Sequence, residues 1–207
     1  MAEHGLLIVL SAPSGCGKST LVKRLLELRP GLRFSVSATT RAPRAGETEG
    51  VDYFFIDKDK FQRMIENDEF LEYAQYVDNS YGTPRAPVER ETAAGNDVLL
   101  DIETNGAFQV MERCPEAVTV FLTPPSFKEL ERRLTTRGKD RPEVIARRLE
   151  EAKRECALAG RYAYNIVNDD VERAAGEFAA IIDKERAKRK SEVIRTTAPV
   201  PPEAQKR

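Results

Sequence analysis

The sequence has few of the residues that build disulfides, zinc sites and histidine-dependent active sites. His4 is the single histidine among 207 residues and lies in the N-terminal tail, which argues against a catalytic histidine or a histidine-rich metal site. The three cysteines, Cys16, Cys114 and Cys156, are far apart and form no CxxC pair. An odd number of scattered cysteines predicts neither a disulfide framework nor a zinc site, and it is typical of a reducing compartment. We therefore expect a cytoplasmic protein.

Long hydrophobic runs and a strong net charge are also absent. The first apolar run, Leu6–Leu10, is too short for a signal peptide or a membrane span. With 33 basic and 34 acidic residues the formal net charge is −1, which argues against a protein built around binding nucleic acid or membranes. Basic residues are concentrated near the C-terminus, where a Pro-rich tail, 191–207, is expected to be disordered.

What the sequence does contain is an alternation of apolar strand-like runs with helical segments. This pattern predicts an α/β fold in which helices flank a parallel sheet. Between 34 and 94 the strand-like segments follow each other without full crossover helices, so we expect a small inserted sheet there. A single domain is expected over 1–190, with its core in 1–33, 95–136 and 160–190. The four core strand candidates are Leu6–Leu10, Val98–Leu100, Ala117–Leu122 and Tyr164–Val167.

A phosphate-binding loop is the strongest chemical signal in the sequence. The string APSGCGKS at 12–19 matches the pattern GxxxxGK[ST], except that Ala12 replaces the first glycine. It lies between a buried strand and an amphipathic helix, the context this motif requires, which disfavours a chance match. Lys18 is expected to reach the β- and γ-phosphates of ATP, and the Ser19 hydroxyl to bind Mg²⁺. The predicted ATP-binding residues are Ala12, Pro13, Ser14, Gly15, Cys16, Gly17, Lys18, Ser19 and Thr20.

A carboxylate follows the second predicted core strand. Asp101 comes directly after Val98–Leu100, where such folds hold an acid beside the phosphate loop for Mg²⁺, often through water. The alternative is an aspartate that caps the next turn. Given the phosphate loop, we favour the metal role for Asp101 together with Ser19.

The second substrate has to be inferred from the predicted insert. Arg41 and Arg44 flank a rigid proline and Tyr53 follows, a set of donors that suits a phosphate monoester, although a solvated basic loop is the simpler interpretation of these residues alone. Glu72 lies on a mostly apolar strand, where an unpaired carboxylate is costly to bury. Guanine offers two adjacent donors, N1–H and N2–H₂, that would pair with it, and adenine offers neither at that edge.

The sequence resembles the guanylate kinase family, in its bacterial single-domain form. The matching strings occur in family order over about residues 5–185; they are SAPSGCGKST, SVSATTRAPRAGE, FLEYAQY, YGTP, LLDIE, LERRLTTRG, VIARRL and IVNDD. The resemblance implies a P-loop NTPase-type core, a GMP-binding insert and a lid at about 137–159. It also implies the ATP-dependent phosphorylation of GMP to GDP, and of dGMP to dGDP, with Mg²⁺ accompanying ATP.

Individual roles follow from the same resemblance. Lys18, Arg137 and Arg148 would surround the transferring phosphoryl group as catalytic residues. Asn168 would lie near the ATP adenine. The implied GMP-binding residues are Ser37, Glu72, Thr83 and Glu103 toward the base, and Arg41, Arg44, Tyr53 and Tyr81 at the phosphate.

Two other functions compete with this interpretation. A kinase for another nucleoside monophosphate would have no use for a carboxylate opposite the base edge, so Glu72 argues against it. A non-catalytic guanylate-kinase-like module that binds protein ligands would carry a degraded phosphate loop, whereas Lys18, Ser19 and Asp101 are intact here.

Cys16 lies within the phosphate loop and allows two hypotheses. It is either a small loop filler, the simpler interpretation, or a reactive thiol. The second hypothesis rests on inward-facing N–H groups, a helix N-terminus and Lys18, all of which favour a thiolate. It predicts that Cys16 reacts faster than Cys114 and Cys156.

Overall fold

A computed structural model describes residues 4–76, 78–136 and 141–197, with the backbone alone for Tyr76 and for 192–197. Within these ranges the main-sheet strands are β1 (Leu7–Ser11), β2 (Arg33–Phe34), β7 (Val98–Asp101), β8 (Val118–Thr123) and β9 (Tyr164–Val167). They are all parallel and lie in the order β2-β7-β1-β8-β9. The predicted α/β class and parallel sheet are confirmed.

Helices connect the strands and cover both faces of this sheet. The helices of the described residues are α1 (Lys18–Leu28), α2 (Lys58–Glu66), α3 (Arg85–Ala93), α4 (Thr104–Arg113), α5 (Phe127–Thr136), α6 (Pro142–Ala157) and α7 (Val171–Thr197), with a short 3-10 helix at Ala159–Arg161. Helices α1, α3, α4 and α7 pack on this sheet, whereas α2 packs on a second sheet. The central strand β1 is buried at every residue, which explains its uninterrupted apolar sequence. Ile8 and Leu10 pack with residues of α1 and α7, whereas Leu7 and Val9 pack on the opposite face with residues of α4.

A second, smaller sheet lies within the predicted insert. Its strands are β3 (Ala38–Thr39), β4 (Phe54–Phe55), β5 (Phe70–Tyr76) and β6 (Asn79–Pro84), in the order β4-β3-β6-β5. This sheet spans less than the expected 34–94. Phe34 pairs with the main sheet through β2, and Val88 of α3 packs in the core beside β1 and β7. Strand β6 was not predicted, because its Asn, Gly and Pro residues are more typical of turns.

The C-terminal helix extends past 191, where the disordered tail was expected to begin. Helix α7 continues to Thr197, since its Lys, Arg, Glu and Ala residues favour helix. Side chains in its later turns also anchor it to the core. Arg186 Nε donates to Asp97 Oδ2 at 2.7 Å, and Arg189 Nη1 donates to the Gly5 carbonyl at 2.7 Å. Residues 198–207 lie outside the described residues.

Candidate active site

A cleft of about 600 Å³ lies at the carboxyl ends of β1 and β7 and extends to the second sheet. Ligands of open α/β sheets bind at this end of the strands. The cleft brings together the loop residues Ala12 to Thr20 and most of the predicted site from elsewhere in the chain. The other lining residues are Ser37, Tyr53, Glu72, Ala74, Tyr81, Asp101, Ile102, Glu103, Gly106, Arg147, Arg148, Glu151 and Glu155.

Glycines give the phosphate loop its shape. Gly15 and Gly17 have φ of 88° and 90°, a left-handed conformation that other residues rarely adopt. A β-carbon on Gly17 would also lie 2.7 Å from Asn168 Nδ2. Helix α1 begins directly after Gly17 without a side-chain cap, so its first backbone N–H groups remain available to an anion.

Asn168 lies behind the loop and does not line the cleft. Its side chain is buried, and Nδ2 donates to the Cys16 carbonyl at 2.7 Å. Arg133 reinforces this contact: Nη1 donates to the same carbonyl at 3.3 Å and Nη2 to the Asn168 carbonyl at 3.0 Å. Both residues therefore hold the backbone of the phosphate loop. Arg133 was missed at the sequence level, where a basic residue on a helix has no distinguishing signal.

The Cys16 thiol is part of the hydrophobic core. Its side chain is fully buried, and Sγ donates to the Leu122 carbonyl at 3.6 Å. Burial raises the pKa of the thiol to about 12, although the positive charges of Arg133 and Lys18 lower it in part. An activated thiolate would need a lowered pKa, so that hypothesis is wrong and the loop-filler hypothesis is favoured.

Lys18 and Asp101, both predicted, meet at the base of the cleft. Lys18 Nζ lies 2.5 Å from Asp101 Oδ1, so the two side chains form an ion pair. Ser19 lines the same cleft and is exposed. A carboxylate oxygen and a hydroxyl oxygen in one cleft suit a hard cation such as Mg²⁺.

Glu72 is the buried carboxylate of the site. Its residue is only 6% exposed, and Oε1 accepts a 2.6 Å hydrogen bond from Thr83 Oγ1 on the paired strand β6. Burial raises the pKa of Glu72; the Thr83 hydrogen bonds oppose this rise, and the nearby charge of Glu103 adds to it. Since Thr83 contacts Oε1, the second oxygen, Oε2, has capacity for another donor.

Three of the four residues predicted to bind the GMP phosphate form one aromatic and cationic cluster, and Arg44 lies outside it. Tyr53 and Tyr81 have ring centroids 6.0 Å apart, and the Arg41 guanidinium lies 5.4 Å from the Tyr53 centroid. Arg41 is held by Glu47 through two hydrogen bonds of 2.8 and 2.9 Å. Neither Arg41 nor Arg44 lines the cleft, and Arg44 is exposed.

Helix α6 contributes a further wall that the sequence did not predict in full. Arg148, which was predicted, lines the cleft beside Arg147, Glu151 and Glu155. Burial and the nearby charges of Glu151 and Glu103 raise the pKa of Glu155 to about 7, while Lys18 and the Ser14 backbone N–H lower it. Arg137 lies outside the described residues.

Comparison with known proteins shows the family to which this chain belongs. The guanylate kinase family profile matches residues 4–185. A guanylate kinase of Thermus thermophilus is 52% identical over 183 residues, covering 88% of this chain and 83% of the relative. Another from Desulfitobacterium hafniense is 48% identical over 194 residues, covering 93% and 97%. This chain belongs to the guanylate kinase family.

A solved structure supports the same assignment. The crystal structure of guanylate kinase from Anaplasma phagocytophilum matches with a TM-score of 0.72 at 38% identity, covering 89% of this chain and 88% of that one. The predicted family, P-loop NTPase-type fold and kinase class are thereby confirmed. In the part of this guanylate kinase-family chain that the structure describes, no helix has the length and apolar character needed to cross a membrane.

Proposed function

We propose that this cleft transfers the γ-phosphoryl group of ATP to GMP, giving ADP and GDP, with the phosphate loop holding ATP and the second sheet holding GMP. The observation that carries this proposal is the placement of the buried Glu72 carboxylate in the same cleft as an intact phosphate loop. A phosphate loop is shared by many enzymes, whereas a buried acceptor opposite it selects a base with adjacent donors.

The ATP half of the site provides positive potential. Backbone N–H groups of the loop and of the first turn of α1 would surround the triphosphate, and Lys18 would neutralise charge on the transferring group. Lys18 is paired with Asp101 in this structure, so ATP binding would exchange part of that ion pair for a phosphate contact. Asn168 and Arg133 would act from behind by fixing the Cys16 carbonyl, and hence the direction of the loop.

Ser19 and Asp101 would hold Mg²⁺ together with ATP. When bound, the ion would neutralise negative charge on the phosphate oxygens during transfer. Asp101 is suited to this role because its carboxylate lies in the same cleft as Ser19, and Lys18 would then be released from its ion pair toward the phosphates.

The GMP half of the site would recognise the base by hydrogen bonds. Glu72 would accept from guanine N1–H and N2–H₂, while Thr83 keeps its carboxylate oriented. Ser37 and Glu103, which line the same cleft, would complete the base contacts. Since none of these contacts requires a ribose 2′-OH, dGMP is expected to be accepted as well.

The GMP phosphate would be bound by Tyr53, Tyr81 and Arg41. The two tyrosines line the cleft, and Arg41 lies against the Tyr53 ring with both terminal nitrogens on Glu47. Glu47 would thus restrict the guanidinium to one orientation before substrate arrives. Arg44 is exposed and would reach the phosphate through movement of its loop.

The lid would complete the site by closing over both nucleotides. Arg148 on α6 and Arg137, which precedes that helix, would approach the transferring group and exclude water that could otherwise accept the phosphoryl. We place this enzyme in purine nucleotide metabolism in the cytoplasm, where three unpaired thiols would stay reduced.

A panel of acceptors tests the proposal. ADP formation from ATP and Mg²⁺ is followed with GMP, dGMP, AMP, UMP and dTMP, each with wild type and with Lys18→Met as a background control. We expect turnover with GMP and dGMP to exceed that with the other acceptors by orders of magnitude. Comparable rates with AMP would overturn the base assignment, and GMP binding without turnover would favour a non-catalytic binding module.

A further inference from the structure

Gly106 lies against the carboxylate of Glu72. It is the third residue of α4, lines the cleft and is buried. A β-carbon at Gly106 would lie 2.4 Å from Glu72 Oε2, 3.0 Å from Cδ and 3.3 Å from Cγ. Real β-carbons essentially never approach other atoms within 3.0 Å, so even a methyl group at this position would displace the carboxylate.

The backbone of Gly106 gives no other reason for a glycine. The φ angle of Gly106 is not positive, and the residue lies inside a helix, where alanine is more favourable than glycine. All three of the atoms nearest to the added β-carbon belong to Glu72. The lack of a side chain at this position therefore serves the placement of one carboxylate.

Glu72 has little freedom to yield without losing its orientation. Thr83 Oγ1 holds Oε1 at 2.6 Å, and Thr83 is also the residue paired with Glu72 across the two strands. A group pressing on Oε2 would rotate the carboxylate away from Gly106 and strain the Thr83 hydrogen bond. The far end of a flexible side chain is nevertheless the cheapest element to move, so the fold would survive while the orientation changed.

We infer that Gly106 is a specificity-positioning residue, whose missing side chain seats the Glu72 carboxylate for guanine recognition. The inference rests on the proposed function, because it gives Glu72 its role. Gly106 itself need not touch the substrate. Its contribution would therefore appear in the affinity for GMP and in discrimination against AMP, and not in the use of ATP.

Two alanine variants separate this role from a general effect of replacing a helical glycine. Gly106→Ala is the test, and Gly176→Ala is the matched control, because Gly176 is an exposed glycine in α7 with no atom within 4 Å of an added β-carbon. For Gly106→Ala we expect the KM for GMP to rise about tenfold or more, with the KM for ATP within about twofold. Gly176→Ala should match wild type in both constants.

A compensating variant tests whether the effect passes through Glu72. Aspartate is shorter by one methylene, so Glu72→Asp withdraws the carboxylate from Gly106. Alone it should weaken GMP use, yet combined with Gly106→Ala it should recover part of the loss caused by Gly106→Ala. Such coupling would also support the inference if Gly106→Ala proved less stable than wild type in a thermal melt.

These experiments distinguish a failure of the Gly106 inference from a failure of the proposed function. If wild type does not use GMP, the function itself is wrong. If wild type uses GMP but Gly106→Ala leaves its KM for GMP unchanged, the positioning role is wrong. Losses that simply multiply in the double variant, or a KM for ATP that rises as much as that for GMP, would overturn it too.

Discussion

Replacing Glu72 with glutamine removes one negative charge from the cleft and changes the side-chain volume very little. The Thr83 hydroxyl donates to Oε1 at 2.6 Å, so the amide oxygen of the variant is expected to occupy that position. The NH₂ group would then take the place of Oε2. It would face the N–H groups of guanine, so a donor would meet donors where the wild-type carboxylate accepts.

The size of the effect follows from the hydrogen bonds involved. Losing a hydrogen bond to a charged acceptor costs about 1.5–3 kcal/mol, and leaving the opposing donor unpaired in a buried site costs about 1–3 kcal/mol more. Together these give roughly 2.5–6 kcal/mol, or about 10²–10⁴-fold in kcat/KM for GMP. If the amide rotates, its oxygen keeps one guanine contact but Thr83 loses its acceptor, so some loss remains in either orientation.

Glu72→Gln should lower activity with GMP but raise the stability of the fold relative to wild type as pH rises. Burial raises the pKa of Glu72, so the folded protein binds more protons than the unfolded chain between the two pKa values. Its stability is therefore lost as pH rises through this window and stays lower above it. Glutamine has no such titration, and the Tm of Glu72→Gln relative to wild type should increase as pH rises.

Steady-state kinetics and thermal melts across pH measure both effects. Since guanine requires the ionised carboxylate, kcat/KM for GMP in wild type should fall as pH falls through the raised pKa of Glu72, whereas Glu72→Gln should lack that limb. Glu112→Gln, the same charge change at an exposed position of α4, is the matched control and should leave both quantities unchanged. An unaltered kcat/KM for GMP in Glu72→Gln would refute the assignment of the base site.

Three other predictions concern the loop, its thiol and the lid. Lys18→Met should raise the activation free energy of turnover by about 3–4 kcal/mol, measured as a fall in kcat from initial rates. The affinity for GMP, measured by calorimetry, should be nearly unchanged. A fall in kcat of less than about tenfold would contradict the phosphate contact. Cys16, with a pKa of about 12, should alkylate more slowly than Cys114 and Cys156 in peptide mapping, and faster labelling of Cys16 would contradict its burial. GMP and an unreactive ATP analogue together should protect the amides of α6 from hydrogen exchange more than either alone, whereas equal protection would indicate a rigid wall.

The features that could be predicted from the sequence are those set by neighbouring residues. The phosphate loop was found because its glycines, lysine and serine act within one turn of backbone, between a buried strand and a helix. The start of α2 is encoded just as locally, because Asp57 Oδ1 accepts from the Lys60 N–H at 2.6 Å as the helix cap. Pro142 likewise marks the first residue of α6. Each of these signals depends on contacts within about four positions, so the linear sequence contains them in full.

The position of Asn168 depended on contacts that no local pattern encodes. Its amide donates to the Cys16 carbonyl from behind the loop, 152 positions away along the chain, and its place near the ATP adenine stays a prediction. The Cys16 thiol was expected to feel the positive end of a helix, but burial against β8 outweighs that effect. Both outcomes depend on which face of the sheet a side chain occupies, and packing decides that.

The sequence by itself determined the family, the phosphate-loop motif and the residue types that are proposed to select guanine. The tertiary structure alone decided how these residues meet: that Thr83 orients Glu72, that Gly106 leaves room for its carboxylate, and that α6 places Glu155 at the phosphate loop. The physical reason is the range of the interactions. Backbone conformation and capping act between neighbours, whereas the order of parallel strands brings distant segments into contact and sets the distances between their side chains.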